Sequence, residues 1–132
     1  METLARHLLL ELHGCEPALL DDRERLRVLM RRAAEAAGAR VVAEVFHPYA
    51  PHGVTGVLVI EESHFSLHTW PEYGYAAVDF YTCGDCTPER AAEVLEHGLG
   101  ARRACLMTIH RGLSPEAGCL RVEAPRDGAG DE

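Results

Sequence analysis

Residues 41 to 83 contain four strand-like runs in succession, and the segments between them are too short to hold a helix. Each run is rich in β-branched and aromatic residues, and turn-forming residues separate most of the runs. The runs cover residues 41–47, 54–62, 64–70 and 75–83. Parallel neighbours need a crossover of about a dozen residues or more, so strands joined this closely pair antiparallel. This part of the chain therefore predicts an antiparallel sheet.

Two helices and two further strands are predicted around these four runs. Residues 8–12 and 103–110 show strand patterns. Asp21 with Glu24 forms a capping box that predicts the start of one helix, and Thr87-Pro88-Glu89 predicts the start of another. Each helix has one apolar stripe, so both are expected to cover the same face of the sheet. The predicted fold class is α+β, a two-layer α/β sandwich with an antiparallel-rich sheet and two helices on one face.

Length and composition limit the number of domains and the kinds of partner. A chain of 132 residues is the size of one domain, expected over 1–111, and the Pro-, Gly- and acid-rich segment 112–132 predicts a flexible tail. The formal net charge is -8 with no local cluster of Lys or Arg, which disfavours nucleic acid and membrane surfaces as partners. No apolar run approaches the ~20 residues that span a bilayer. The five cysteines have no framework spacing, which predicts a reducing, cytoplasmic location.

A polar stretch follows the apolar run VLVI and enters the last hairpin of the sheet. It reads EESHFSLHTWPE and covers residues 61–72. We expect Trp70 to oppose Tyr75 across a four-residue turn. Counting back along both strands then places Cys83 opposite Glu62 and beside Ser63. The pairing alone therefore brings a thiol and a hydroxyl to one end of the hairpin.

The same count places His68 opposite Ala77, on the other side of the strand from Ser63. For His68 to reach Ser63, the backbone at this point must be kinked or bulged, as a strained peptide bond would be. Each of these residues also has an ordinary structural use, and Cys83-Gly84-Asp85-Cys86 is a Cys-x-x-Cys sequence of the kind found in redox and zinc modules. Zinc normally takes a second matching pair of ligands. We therefore expect no metal.

The segment ESHFSLHTWPEYGYAAVDFYTCGD, residues 62–85, resembles the signature of the prokaryotic S-adenosylmethionine decarboxylases. The resemblance runs from RHLLLELHGC (6–15) through FHPYAPHGVTGVLVIEESH (46–64) to RRACLMTIHRG (102–112). Members of that family are proenzymes that cut themselves in front of a serine, which becomes a pyruvoyl group. The resemblance therefore covers nearly the whole chain except the tail.

The resemblance implies a role for each residue of the junction. Cleavage would fall between Glu62 and Ser63, and Ser63 would become the covalent pyruvoyl cofactor. His68 matches the histidine that handles protons during self-processing, and Cys83 matches the thiol that protonates the product. The ketone would form a Schiff base with the substrate amine and act as an electron sink.

Four further residues are candidates for binding the substrate. Tyr49 stands where the family commonly has a phenylalanine that stacks on adenine, and Thr55 stands where it commonly has a serine. Trp70 offers a second stacking surface. Glu72 offers a carboxylate for the sulfonium or for the ribose hydroxyls.

The implied reaction converts S-adenosylmethionine to S-adenosylmethioninamine and carbon dioxide, which supplies aminopropyl groups for spermidine biosynthesis. A pyruvoyl-dependent arginine or ornithine decarboxylase is the alternative, since the electron-sink chemistry does not depend on the side chain. A non-catalytic partner subunit is a further alternative, which the intact catalytic residues disfavour. We also expect a homodimer of cleaved two-chain protomers with residues from both in each site, because one thin sandwich can hardly enclose a nucleoside-sized ligand.

Overall fold

The computed structural model describes residues 5–112, 120–123 and 125–129, which form one antiparallel sheet with helices on one side. The strands are β1 (Ala5–His13), β2 (Val41–Pro48), β3 (Val54–Ile60), β4 (Ser63–Trp70), β5 (Tyr75–Thr82), β6 (Arg103–Arg111), β7 (Arg121–Val122) and β8 (Arg126–Ala129). The helices are α1 (Pro17–Leu20), α2 (Arg23–Ala36) and α3 (Pro88–Gly98). The strand order is β2-β3-β4-β5-β1-β6-β7, and β8 also pairs with β6.

The core lies between the helices and one face of the sheet. Alternate residues of the central strands point to this side, and Phe65 and Phe80 are almost completely buried there. Leu26 and Met30 of α2 and Leu95 of α3 pack into the same core. The opposite face of the sheet, called the open face below, carries no helix in the described part of the chain. The two-layer α+β sandwich predicted from the sequence is confirmed.

Two details of the helix prediction are wrong. A short helix, α1, precedes the first predicted one, so the described residues contain three α-helices rather than two. The cap of α2 is Asp22, whose side chain accepts a hydrogen bond from the Arg25 N–H at 3.1 Å. Asp21 instead accepts a bond from the Gly53 N–H at 2.8 Å, which ties the start of the helix to the 48–53 turn. No helix among the described residues is long and apolar enough to cross a membrane.

The segment 112–132, for which the sequence predicts a flexible tail, contains two short strands among its described residues. Both β7 and β8 pair antiparallel with β6, and His110 Nε2 lies 2.6 Å from Glu123 Oε2. Without these strands β6 would be an edge strand with unpaired backbone groups. Local composition does not reveal such pairing, because the partner strand is distant in sequence. Residues 113–119, 124 and 130–132 lie outside the described residues.

The β4–β5 hairpin has the predicted register. Trp70 lies opposite Tyr75, and His68 lies opposite Ala77. The turn is a single 3-10 turn over Pro71–Tyr73. Gly74 ends it with a φ of 61°, a left-handed conformation that suits glycine. The hairpin therefore carries the polar stretch along the sheet in the predicted alternation.

Candidate active site

The predicted cleavage junction lies where β3 turns into β4. Ser63 has a φ of 149°, a backbone conformation that residues with a Cβ rarely adopt. Within the described ranges, no other non-glycine residue has a positive φ. Such strain persists when the surrounding structure holds it, and it is often found at functional sites. The distortion predicted near Ser63 is therefore present in the backbone.

The carbonyl oxygen of Glu62 belongs to the peptide bond that would be cut. It accepts a hydrogen bond from the Cys83 N–H at 3.0 Å and a second from the Cys83 thiol at 3.3 Å. Two donors on one carbonyl oxygen can stabilise the negative charge that forms there when a nucleophile attacks the carbon. The structure thus places Cys83 opposite Glu62, as the hairpin count predicts.

The side chain of Glu62 packs over the loop that follows β5. A Cβ on Gly84 would lie 2.6 Å from Glu62 Cγ, so this close contact needs glycine. Glu62 Oε1 is buried without a hydrogen-bond partner in the described structure. Burial raises the pKa of the Cys86 thiol, and the Glu62 carboxylate adds to that increase. Cys83 is exposed whereas Cys86 is buried, so the two cysteines of the Cys-x-x-Cys sequence occupy different environments.

His68 does not reach Ser63 within one chain. The pairing of β4 with both neighbouring strands continues without a register shift from Ser63 to Trp70. Five residues of extended strand separate the two positions by roughly 16 Å. The strained backbone at Ser63 does not shorten this distance. The kink that a contact between His68 and Ser63 requires is therefore not provided within a single protomer.

His68 instead belongs to a second group of candidate residues, called the His68 group below. Its Nδ1 lies 2.9 Å from Thr55 Oγ1, and that hydroxyl lies 3.0 Å from the Tyr49 hydroxyl. Thr55 and His68 are paired residues on β3 and β4, and Tyr49 follows the end of β2. The β3–β4 register, which the sequence count did not include, pairs Thr55 with His68, and Tyr49 joins them from the turn after β2.

Trp70 and Glu72 lie at the end of the hairpin beyond His68. The Trp70 ring stacks on Tyr75 with centroids 5.1 Å apart, and 39% of the residue stays exposed. Glu72 Oε1 lies 3.1 Å from His52 Nε2. His52 was not predicted, because its approach depends on how the 48–53 turn folds. Trp70 and Glu72 therefore each contact another side chain of the same chain, Tyr75 and His52 respectively.

Sequence reasoning also missed a polar cluster on the open face. Asp79 is within hydrogen-bond distance of His7 Nε2 at 2.7 Å, of His64 Nε2 at 3.3 Å and of the Ser66 hydroxyl. Tyr81 packs against both imidazoles, with centroid distances of 5.3 and 5.6 Å. We call this set the Asp79 cluster. The hairpin count already pairs Ser66 with Asp79, whereas the pairing of β1 with β5 has no local signal in the sequence.

Comparisons with known proteins agree on one family. The family model described as S-adenosylmethionine decarboxylase matches residues 6–112. The S-adenosylmethionine decarboxylase proenzyme of Thermotoga petrophila is 44% identical over 119 residues, which cover 89% of this chain and 92% of that protein. The proenzyme of Parasynechococcus marenigrum is 49% identical over 109 residues, which cover 82% and 85% of the two chains.

Two solved structures extend the likeness to the fold. The adenosylmethionine decarboxylase of Aquifex aeolicus superposes with a TM-score of 0.79 at 34% identity, covering 86% of this chain and 95% of that one. The Trypanosoma brucei AdoMetDC-delta26 monomer superposes with a TM-score of 0.56 at 13% identity, covering 79% of this chain and 45% of that one. At this identity the second likeness concerns the fold alone.

Proposed function

The chain belongs to the S-adenosylmethionine decarboxylase family, and from this we propose that it is a proenzyme that cuts itself between Glu62 and Ser63. The mature enzyme converts S-adenosylmethionine to S-adenosylmethioninamine and carbon dioxide for polyamine synthesis. The observation that carries the cleavage site is the Glu62 carbonyl oxygen, which both donors of Cys83 hold directly before the strained Ser63. Arginine or ornithine decarboxylation is not favoured by the relatives.

The self-cleavage needs a nucleophile and a polarised carbonyl. The Ser63 hydroxyl attacks the Glu62 carbonyl carbon, and the two Cys83 donors stabilise the charge on the oxygen. The C–N bond then breaks, which leaves an ester at the Ser63 side chain and a free amine on its backbone. Elimination across Cα and Cβ releases the Glu62 carboxylate and leaves dehydroalanine. Uptake of water and loss of ammonia convert that residue to a pyruvoyl group.

The residues at the junction fit this prosthetic group. Serine supplies the required β-oxygen. Its strained backbone conformation raises the free energy of the uncut chain and so favours the cleavage. The pyruvoyl group supplies a ketone that accepts the electron pair released as carbon dioxide leaves. Cys83, exposed and adjacent to the junction, is the proton donor for the product carbon. A reducing cytoplasm would keep this thiol free.

We assign the two groups of site residues to opposite protomers of a homodimer. A proton carrier roughly 16 Å from Ser63 along the strand is useless to its own chain. The open face carries exposed Val45 and Val59 and half-buried Leu9 and Val57, which a second copy packed against it would cover. Two copies related by a two-fold axis would place the His68 group of one protomer against the cleavage junction of the other.

The His68 group also supplies the groups that would recognise the substrate. Tyr49 is 51% exposed and offers a ring on which adenine can stack. An aromatic face also attracts the sulfonium, by about 0.5–2 kcal/mol. Thr55 and His68 continue the hydrogen-bonded chain from the Tyr49 hydroxyl. Trp70 and Glu72 remain candidates for the ring and for the ribose hydroxyls.

Intact mass spectrometry of the purified protein tests the cleavage. We expect two fragments, 1–62 and 63–132, with the second resistant to Edman sequencing because it has no amine. Ser63→Ala should stay whole. A single uncleaved mass after prolonged incubation of the wild-type protein would overturn the assignment. Carbon dioxide release, measured separately with S-adenosylmethionine, arginine and ornithine, tests the substrate; turnover of either amino acid without turnover of S-adenosylmethionine would favour the alternative.

A further inference from the structure

The Asp79 cluster takes no part in the chemistry described above, yet it holds His64, the residue next to the serine at the cleavage junction. His64 is bonded to Ser63, and its Nε2 points to Asp79 Oδ2. Asp79 is also held by His7 and by Ser66, so three strands contribute to the cluster. The side chain of His64 is therefore fixed by groups that do not themselves touch the junction.

Two imidazoles and a carboxylate within 4.8 Å of one another are also a donor set that zinc accepts. The neighbouring Arg111 argues against this use. Its Nη1 lies 3.4 Å from His7 Nδ1, and a guanidinium can only donate, so His7 carries its proton on Nε2 and directs it at Asp79. Arg111 is held over the Tyr81 ring at 4.6 Å from the centroid. With His7 Nε2 directed at Asp79 and its Nδ1 facing Arg111, the side chains form a hydrogen-bond network as they stand.

An ionised Asp79 can accept hydrogen bonds from several donors at once. Burial opposes ionisation of this carboxyl, but the hydrogen bonds from Ser66, His7 and His64 outweigh it and lower its pKa. The carboxylate therefore stays ionised at neutral pH and can accept from both imidazoles at once. An acceptor of this kind restrains the His64 ring, and through the ring it restrains the backbone at position 64.

We propose that Asp79 is a positioning residue for self-cleavage, acting through His64 to hold Ser63 in its strained conformation. The proposal rests on the cleavage between Glu62 and Ser63 proposed above. A strained φ is kept when both sides of the residue are anchored. Cys83 anchors the N-terminal side through the Glu62 carbonyl, and Asp79 anchors the C-terminal side through His64. With one anchor removed, Ser63 relaxes and its hydroxyl loses its line of attack.

Matched pairs of substitutions separate the hydrogen bond from the volume of the side chain. His64→Leu removes the donor, whereas His64→Gln keeps an N–H near the position of Nε2. Asp79→Leu removes the acceptor, whereas Asp79→Asn keeps an oxygen for the imidazoles and offers an N–H to the Ser66 hydroxyl. We expect both leucine variants to cleave roughly 10- to 100-fold more slowly than wild type. The glutamine and asparagine variants should recover most of the rate.

The rate is measured as the appearance of the 63–132 fragment, with dimer content and thermal unfolding followed in the same samples. His110→Ala is the control, because it removes a histidine that is likewise paired with a carboxylate, Glu123, but lies on β6, three strands away from β4. Leucine variants that cut at the wild-type rate would overturn the positioning role, as would equal slowing by His110→Ala or no difference within either pair. If the wild-type chain itself stays whole, the proposed cleavage fails instead, and the positioning role fails with it.

Discussion

At the scale of single residues, the cysteines show how position decides what a thiol can do. Cys83 is exposed and donates to the Glu62 carbonyl oxygen, so it is placed for chemistry. Cys15 is 4% exposed and packs in the core beneath the sheet. Burial raises the pKa of the Cys15 thiol to about 11, because a thiolate there would lose its solvation. Cys15 therefore packs the core, and its burial costs the folded state stability at alkaline pH, where the unfolded chain can form the thiolate.

That cost predicts a pH dependence of stability. A thiol with a raised pKa in the folded state contributes fully below its unfolded pKa, and the contribution is lost as pH rises through the folded pKa of about 11. Between pH 7 and pH 10, Cys15 should therefore lower the free energy of unfolding by about 1–2 kcal/mol. Urea unfolding under reducing conditions measures this. Cys15→Ala should lose less stability over the same range, and parallel pH curves for the two proteins would contradict the prediction.

At the scale of elements, the sequence predicts well what depends on local pattern and short connections. The hairpin register and the position of Cys83 opposite Glu62 follow from a four-residue turn and regular alternation. The pairing of β7 and β8 with β6 depends on residues distant in the chain and has no local signal. The contact of His68 with Thr55 is of the local kind, because it follows from the register of the β3–β4 hairpin, whose strands only two residues join. That register was not counted from the sequence. The distance of His68 from Ser63 follows from a strand that stays regular.

Close packing between β2 and β3 gives a test at this scale. A Cβ on Gly56 would overlap Phe46 Cε2 and lie 3.0 Å from Met30 Sδ. Gly56→Ala should therefore reduce the free energy of unfolding by about 1–3 kcal/mol through overpacking. Adding Phe46→Leu should return part of that loss, because the smaller side chain makes room for the methyl group. Urea unfolding of the two single variants and the double variant measures the coupling, and strictly additive effects would count against the contact.

At the scale of the whole molecule, the separation of Ser63 from His68 makes the proposed dimer a functional requirement. Each protomer would hold one complete junction and one complete His68 group, but neither could use its own pair. The consequence differs from that of ordinary dimerisation, in which each subunit carries its own site. Two chains with different defects could then repair each other.

Mixed dimers of Ser63→Ala and His68→Ala chains test this arrangement. Alone, neither variant should be cut at the normal rate. In a mixed dimer the His68→Ala chain keeps its Ser63 and receives His68 from the other chain, so this chain should be cut. The tagged chains are co-expressed, purified as heterodimers and weighed by mass spectrometry. Pairing His68→Ala with a chain that carries both substitutions is the control and should restore nothing; an uncut His68→Ala chain in the Ser63→Ala heterodimer would refute the shared site.

The strand order has a consequence for what a cut at this junction leaves behind. The break would put β1, β2 and β3 on one piece and β4, β5 and β6 on the other. In the sheet these pieces are interleaved, because β4 lies beside β3 while β1 lies between β5 and β6. Three seams of backbone hydrogen bonds therefore join the pieces, at β3–β4, β5–β1 and β1–β6. The two pieces of a cleaved protomer would therefore stay associated through these backbone hydrogen bonds, and they would separate only when the sheet unfolds.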